Sequence, residues 1–223
     1  MSKKILVVAV HPDDETLGCG GTLLRHKELG DEIHWLICTS MKEEDGFSLA
    51  RIEQRDREIA AVSKMYGFDS VHTLELSTMK VDQYGMKHIV ELISDVLIDV
   101  EPDVVYLPFK GDVHSDHKII SSAVYSCTKV FRYPYIRSIY MMETLSETEY
   151  AISLKEDSFI PNVFVDVTSY MNKKLDILNI YESEMAPHPF PRSDDNVRAL
   201  ATYRGAASGC TYAESFMLIK KII

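Results

Sequence analysis

Read from the amino terminus, short unbroken apolar runs alternate with longer segments whose apolar positions recur every three or four residues. Lys4 to Val10 (KILVVAV) is continuous and rich in β-branched side chains, the pattern of a strand buried on both faces of a parallel sheet. Glu32 to Thr39, Val71 to Leu76 and Asp103 to Pro108 read as further strands. Between them lie helical patterns at roughly Gly20 to Leu29, Ser48 to Tyr66 and Met86 to Val100, stopped by Gly30, Gly67 and Pro102 respectively. Strand and helix thus alternate at the pitch of βαβ units, which predicts an α/β fold with a Rossmann-like, doubly wound, mostly parallel sheet.

After about Tyr133 the rhythm changes. Arg137 to Met142 and Val163 to Val167 read as strands, Thr168 to Glu184 as an amphipathic helix, and Asp194 to Ala206 as a last helix. Pro187, Pro189 and Pro191 make a rigid loop, and Phe216 to Ile222 is expected to be an edge strand. No repeat or low-complexity linker interrupts residues 1–223, and a chain of 223 residues makes one domain the economical reading.

Composition narrows the classes. The chain carries 24 Lys and Arg against 34 Asp and Glu, so its net charge is −10, without the basic footprint that nucleic-acid binding requires. The apolar run ending at Val10 is too short for a membrane span or a leader core, so no transmembrane segment and a cytoplasmic location are expected. The four cysteines form no C-x-x-C pair, which argues against a cysteine zinc site or a disulfide framework.

The chemistry gathers where two strands end. Immediately after the first comes His11-Pro12-Asp13-Asp14-Glu15, and after Asp103 to Pro108 comes Gly111-Asp112-Val113-His114-Ser115-Asp116-His117. Ligands of open α/β sheets bind at the carboxyl ends of strands, where strand order reverses. Three adjacent carboxylates repel one another unless a cation screens them, and an H-x-x-D spacing offers two of the three protein ligands a catalytic zinc needs. The second loop can supply a third, and a His/Asp set with open positions suits zinc and iron(II) alike. Taken alone, either segment reads as a helix cap; both together, each after a buried strand, favour a site.

These residues also resemble a known family, the LmbE-like or PIG-L group of zinc-dependent de-N-acetylases. Val10-His11-Pro12-Asp13-Asp14-Glu15 is similar to its A-H-P-D-D-E signature, with Val10 in place of alanine, and His114-Ser115-Asp116-His117 meets its H-x-D-H. Arg55 and Glu58 before Gly67, then Arg204-Gly205 and Tyr212-Ala213-Glu214-Ser215-Phe216, extend the resemblance over most of the chain. It implies His11, Asp14 and His117 as metal ligands, with zinc as the metal and iron(II) as the alternative. It further implies Asp13 as general base, protonated His114 as acid or oxyanion stabiliser, Asp116 orienting His114, and Arg55 holding substrate or bracing the site. The activity implied is hydrolysis of an N-acetyl group from a small-molecule amino sugar or its conjugate. Residues 133–223 would shape the pocket, and the later segments could support a homo-oligomer.

The rival readings are a zinc amidase acting on a thiol-sugar or non-sugar amide, and a non-catalytic, metal-containing sugar-binding protein; the presence of Asp13 counts against the second. Gly18, Gly20 and Gly21 lack the third glycine and acidic partner of a dinucleotide fingerprint, so no nucleotide cofactor is expected. His26, His34, His72 and His88 read as surface or satisfied core residues, and His188 as a loop residue without chemistry.

Overall fold

The computed structural model describes residues 2–223, and within them the continuous apolar run becomes the centre of the molecule. Strand β1 (Lys4–Ala9) pairs in parallel with β2 (Glu32–Ser40) on one side and with β4 (Val104–Pro108) on the other. Beyond β2 lies β3 (Ser70–Ser77), and beyond β4 lies β5 (Ser138–Met142), both parallel. Antiparallel β7 (Ala213–Lys221) and β6 (Val163–Asp166) complete the order β3-β2-β1-β4-β5-β7-β6. The mostly parallel, doubly wound sheet expected from the sequence is present, and strand order reverses between β1 and β4. No helix of the described residues is long and apolar enough to cross a membrane.

Alternation along β1 explains its unbroken hydrophobicity. Ile5, Val7 and Ala9 join a core formed with helices α1 (Asp14–Glu28), α2 (Leu49–Tyr66), α5 (Met171–Leu178) and α6 (Asp194–Ser208). Leu6, Val8 and Val10 join the opposite core, with α3 (Met86–Val100) and α4 (Ser115–Ser126). Helices on both faces leave no solvent face to the central strands, so no polar alternation survives in their sequence.

Three expectations need correcting. Strand β7 is interior, because β6 pairs with its outer side and itself forms the edge. The helix expected over Thr168 to Glu184 is α5, ending at Leu178; beyond it Tyr181 turns inward, fully buried, and donates to Glu15 at 2.9 Å. Helix α1 begins at Asp14, six residues before the expected start, and is broken at Cys19 (φ −150°, ψ 25°).

That break is satisfied from outside the helix. The Glu214 carboxylate accepts the Gly21 and Thr22 N–H groups, each at 2.8 Å, as a side chain would cap a new helix start. Lys174 donates to Glu214 at 2.7 Å and to the Leu17 carbonyl at 3.0 Å, which serves the end of the preceding turn. The α1 glycines therefore have a packing role: a Cβ on Gly20 would lie 2.6 Å from the Tyr66 hydroxyl, and one on Gly21 2.6 Å from Val167 Cβ.

Candidate active site at the strand switch point

Because β1 and β4 are adjacent, the loops that leave them converge. His11, Asp14 and His117 each offer a ligand atom, and these lie within 4.8 Å of one another. His117 Nε2 is 3.3 Å from Asp14 Oδ2 and 3.4 Å from His11 Nδ1. Each imidazole has a carboxylate behind it: Asp112 sits 2.9 Å from His117 Nδ1, and Asp116 lies 3.4 Å from His11 Nε2. Asp112 is itself held by the Thr148 hydroxyl at 2.7 Å. Carboxylates placed behind imidazoles in this way fix ring orientation at metal sites.

The donor set fits a divalent metal. Asp14 is fully buried, and its Oδ1 has no hydrogen-bond partner among the described residues, although a buried carboxylate oxygen normally has one. His11, His114 and Asp116 form a second group of similar span. In that group the Asp116 oxygens already accept N–H groups from Met79 (2.8 Å) and Val81 (3.3 Å), so the first group is the better centre. Burial opposes the charge on both Asp14 and His117, but their mutual attraction wins, holding the Asp14 carboxyl well below the usual range and the His117 imidazole well above it. A bound cation would compete with a proton for this pair, so metal binding there depends on pH.

Asp13 stands next to this group. Its backbone (φ 139°, ψ −26°) is in a region side-chain-bearing residues rarely occupy, a strain on the order of 1–3 kcal/mol. Its N–H donates to Glu15 Oε2 at 3.1 Å, and its carbonyl accepts from Thr16 and Leu17 at 3.0 and 2.9 Å. Of its carboxylate oxygens, Oδ2 accepts from Arg192 at 2.6 Å and Oδ1 has no partner among the described residues. Burial pushes the carboxyl from 3.8 up to about 7, with Arg192 opposing the rise and Asp14 and Glu184 adding to it. Burial also lifts Glu15 from 4.5 to about 8, against hydrogen bonds from Thr16 and Tyr181.

His114 caps α4: its Nδ1 accepts the Asp116 N–H at 3.1 Å. That bond requires an unprotonated Nδ1, so the ring is neutral with its proton on Nε2. Burial, with His11 and His117 nearby, lowers it from 6.5 to about 4. In this arrangement the ring offers its Nε2–H toward the cavity, whereas the expectation had a protonated ring. Nor does the Asp116 carboxylate orient His114; it backs His11 and pins the β3–α3 connection through Met79 and Val81.

Arg55 is buried at 5% exposure and braces the loop, donating to the Pro12 carbonyl at 2.8 Å and pairing with Glu184. Burial raises the Glu184 carboxyl, yet the Arg55 and Arg192 guanidiniums outweigh it and hold Glu184 below its ordinary value. Arg192 also reaches Ser146 Oγ at 2.6 Å and Glu147 at 3.5 Å. Glu147 is 7% exposed, and its Oε2 has no partner.

Of these groups, His11, Asp13, Arg55, His114, Glu147, Glu184 and Arg192 border a cavity of about 470 Å³. The sequence reading missed Arg192, Glu184 and Glu147 because no local spacing links them to the first loop. In it Asp112 figures only among the two histidines and two aspartates of the second loop, without a role of its own. The proline-rich segment was a usable signal, since Arg192 follows it directly. His188 lines a separate surface depression with Asn179 and Asp194.

Comparisons with known proteins agree with this architecture. Diacetylchitobiose deacetylase of Thermococcus kodakarensis is 28% identical over 232 aligned positions, spanning 99% of this chain and 84% of the relative. A conserved protein from Thermus thermophilus superimposes with TM-score 0.78 at 24% identity, covering 99% of this chain and 96% of that one. The 4-carboxy-2-hydroxymuconate hydratase of Pseudomonas putida does so with TM-score 0.74 at 18% identity, covering 99% and 98%. A hydratase on the same scaffold shows that the fold alone does not choose the reaction, which must be read from the loops. Those loops are covered by the family model described as GlcNAc-PI de-N-acetylase, which matches residues 6–128, and on that match this chain belongs to the PIG-L family.

Proposed function

We propose that this chain is a zinc-dependent hydrolase that removes the N-acetyl group from an amino sugar or an amino-sugar conjugate. The observation that carries the reading is the convergence of the two strand-end loops. It sets Asp13, with one oxygen anchored and the other free, beside a His–Asp–His group containing an unpartnered carboxylate oxygen. The similarity to the Thermococcus diacetylchitobiose deacetylase supports an N-acetylated sugar as substrate.

His11, Asp14 and His117 would hold the metal, which when bound acidifies water and polarises an amide carbonyl. The remaining work falls to the chain's own groups. Arg192 fixes Asp13 Oδ2, which leaves Oδ1 to accept the proton of the attacking water. As the water oxygen bonds to the amide carbon, negative charge grows on the carbonyl oxygen, and the His114 Nε2–H is the donor available to it. Collapse breaks the C–N bond, and the departing nitrogen needs a proton. With Nδ1 already accepting a backbone N–H, His114 is a neutral donor, so Asp13 returns the proton that it took. The second proton of the water, left on the tetrahedral hydroxyl, passes to the amine as the products part, so acetate and the protonated amine leave and the Asp13 carboxylate is restored.

The test is acetate release from a panel of N-acetylated amino sugars and conjugates, with added zinc, after chelation, and with Asp13→Asn. Zinc-dependent release that falls by about two to four orders of magnitude in a variant still holding metal supports the reading. Wild-type turnover in that variant would remove Asp13 from the mechanism. Absence of release from every compound by zinc-loaded protein would remove the reaction itself.

A further inference from the structure

We infer that the cavity contains a second subsite, over the carboxyl ends of β2 and β3, that takes a saturated aliphatic chain carried by the substrate. The inference rests on the deacetylase reading for its reaction, but the subsite is argued from its own walls. Strands β2 and β3 lie one and two places from β1, about 5 and 10 Å across the sheet from the His11–Asp13 loop. Over them the lining changes from charged groups to Ile37, Met41, Ile52, Ile59 and Met79.

Among the described residues no Phe, Tyr or Trp borders the cavity, so a second sugar ring would find no aromatic platform there. Of the hydroxyls at this end, Thr39 Oγ1 donates to the Val10 carbonyl at 2.8 Å and Thr78 Oγ1 donates to Thr39 Oγ1 at 3.2 Å, while Ser40 Oγ, between Thr39 and Met41, has no partner among the described residues. The two acids of this end, Asp56 and Glu75, are both exposed. Unbranched thioether and aliphatic walls match a flexible hydrocarbon better than a polyol.

A second observation comes from the backbone. Met79 is 64% exposed and has φ 63°, while Glu75, at the irregularity in the β2–β3 pairing, has φ 54°. Side-chain-bearing residues rarely adopt such angles, and conformations of this kind gather at binding sites. The Met79 N–H is tied to Asp116, whose carboxylate also backs His11. A methionine held in this conformation with most of its side chain in water gains little from folding; an apolar ligand would cover it.

The hydrocarbon could arrive as a longer N-acyl chain or as an alkyl aglycone, and two substrate series separate these sources. One is N-acetyl-, N-butanoyl- and N-hexanoylglucosamine; the other is the ethyl, butyl and hexyl glycosides of N-acetylglucosamine. With kcat/KM read from free amine release, we expect one series to rise about fifteenfold for each two methylenes until the subsite is full, at about fourfold per buried methylene. Ile52→Ser and Ile59→Ser should each flatten that slope. Flat profiles in both series, with N-acetylglucosamine still cleaved, would overturn the subsite and leave the deacetylase reading intact. A slope unchanged in both variants would also overturn it. If nothing is cleaved, the deacetylase reading fails, and calorimetric titration of the same compounds decides the subsite. Affinity that rises with chain length and falls in Ile52→Ser supports it; affinity independent of length refutes it.

Discussion

Removal of the Glu214 carboxylate should destabilise the fold far from the reacting atoms, by an amount the structure allows to be worked out. Glu214 and Lys174 are 6% and 4% exposed, and the carboxylate accepts from the Gly21 and Thr22 N–H groups as well as from Lys174. Glu214→Ala leaves a buried ammonium whose only other partner among the described residues is the Leu17 carbonyl, and it orphans two amides at the break in α1. Breaking a buried pair from one side costs about 3–5 kcal/mol, and the orphaned amides place this case toward the upper half of that range. Against a typical total of about 5–15 kcal/mol, that is a large fraction. For 223 residues at about 2.1 cal/mol/K each, a 4 kcal/mol loss lowers Tm by about 9 °C.

The assay is urea denaturation of wild type, Glu214→Ala, Lys174→Met and the double variant. Lys174→Met should also destabilise, because it leaves the carboxylate buried without its counter-charge. The double variant should be more stable than the sum of the two losses implies, since it strands no charge. A single-variant loss below about 1 kcal/mol, or strict additivity, would refute the claim that this pair repairs the helix break.

Other consequences can be checked separately. His117→Ala should abolish metal binding, whereas Asp112→Asn, which disturbs only the group behind His117, should weaken it about 10- to 100-fold; equilibrium dialysis with zinc measures both. Arg192→Met removes a charge-assisted hydrogen bond to Asp13 worth about 1.5–3 kcal/mol, so turnover should fall about 10- to 150-fold with metal content unchanged. A wild-type rate there would show that Asp13 needs no anchor. Gly205→Ala should destabilise by about 1–3 kcal/mol in thermal denaturation, because the added Cβ would lie 2.6 Å from the Thr211 carbonyl oxygen and 2.7 Å from that of Cys210.

These cases show what the linear chain determined. Uninterrupted apolar runs at Lys4 to Val10 and Asp103 to Pro108, separated by helical periodicity, require strands buried on both faces, because only helices on either side of a sheet leave them no polar positions. An acidic loop with a histidine directly after such a strand marks a ligand end, since that rim is where open α/β sheets bind. Local pattern therefore sufficed for the sheet and for the two loops, and the family's motifs lie in those loops. The same pattern places the start of α1 at Gly20 rather than Asp14, and the chain is indeed broken nearby, at Cys19, where contacts from outside the helix join the two parts.

The repair, Glu214 with Lys174, lies about 150 to 200 residues away in sequence, and no period encodes such a pairing. The same holds for Arg192 on Asp13 and for Glu184 between Arg192 and Arg55. Local and long-range contacts together bear on how His114 and Asp116 are placed. The sequence suggested a charged His114 oriented by Asp116, but the chain's turn into α4 presents a backbone N–H to His114 Nδ1 and sends the Asp116 carboxylate to Met79, Val81 and His11. Which residue types meet at a strand end is a local property of the chain. What each one donates, accepts or pairs with depends also on neighbours, such as Arg192 on Asp13, that only tertiary folding brings into hydrogen-bond range.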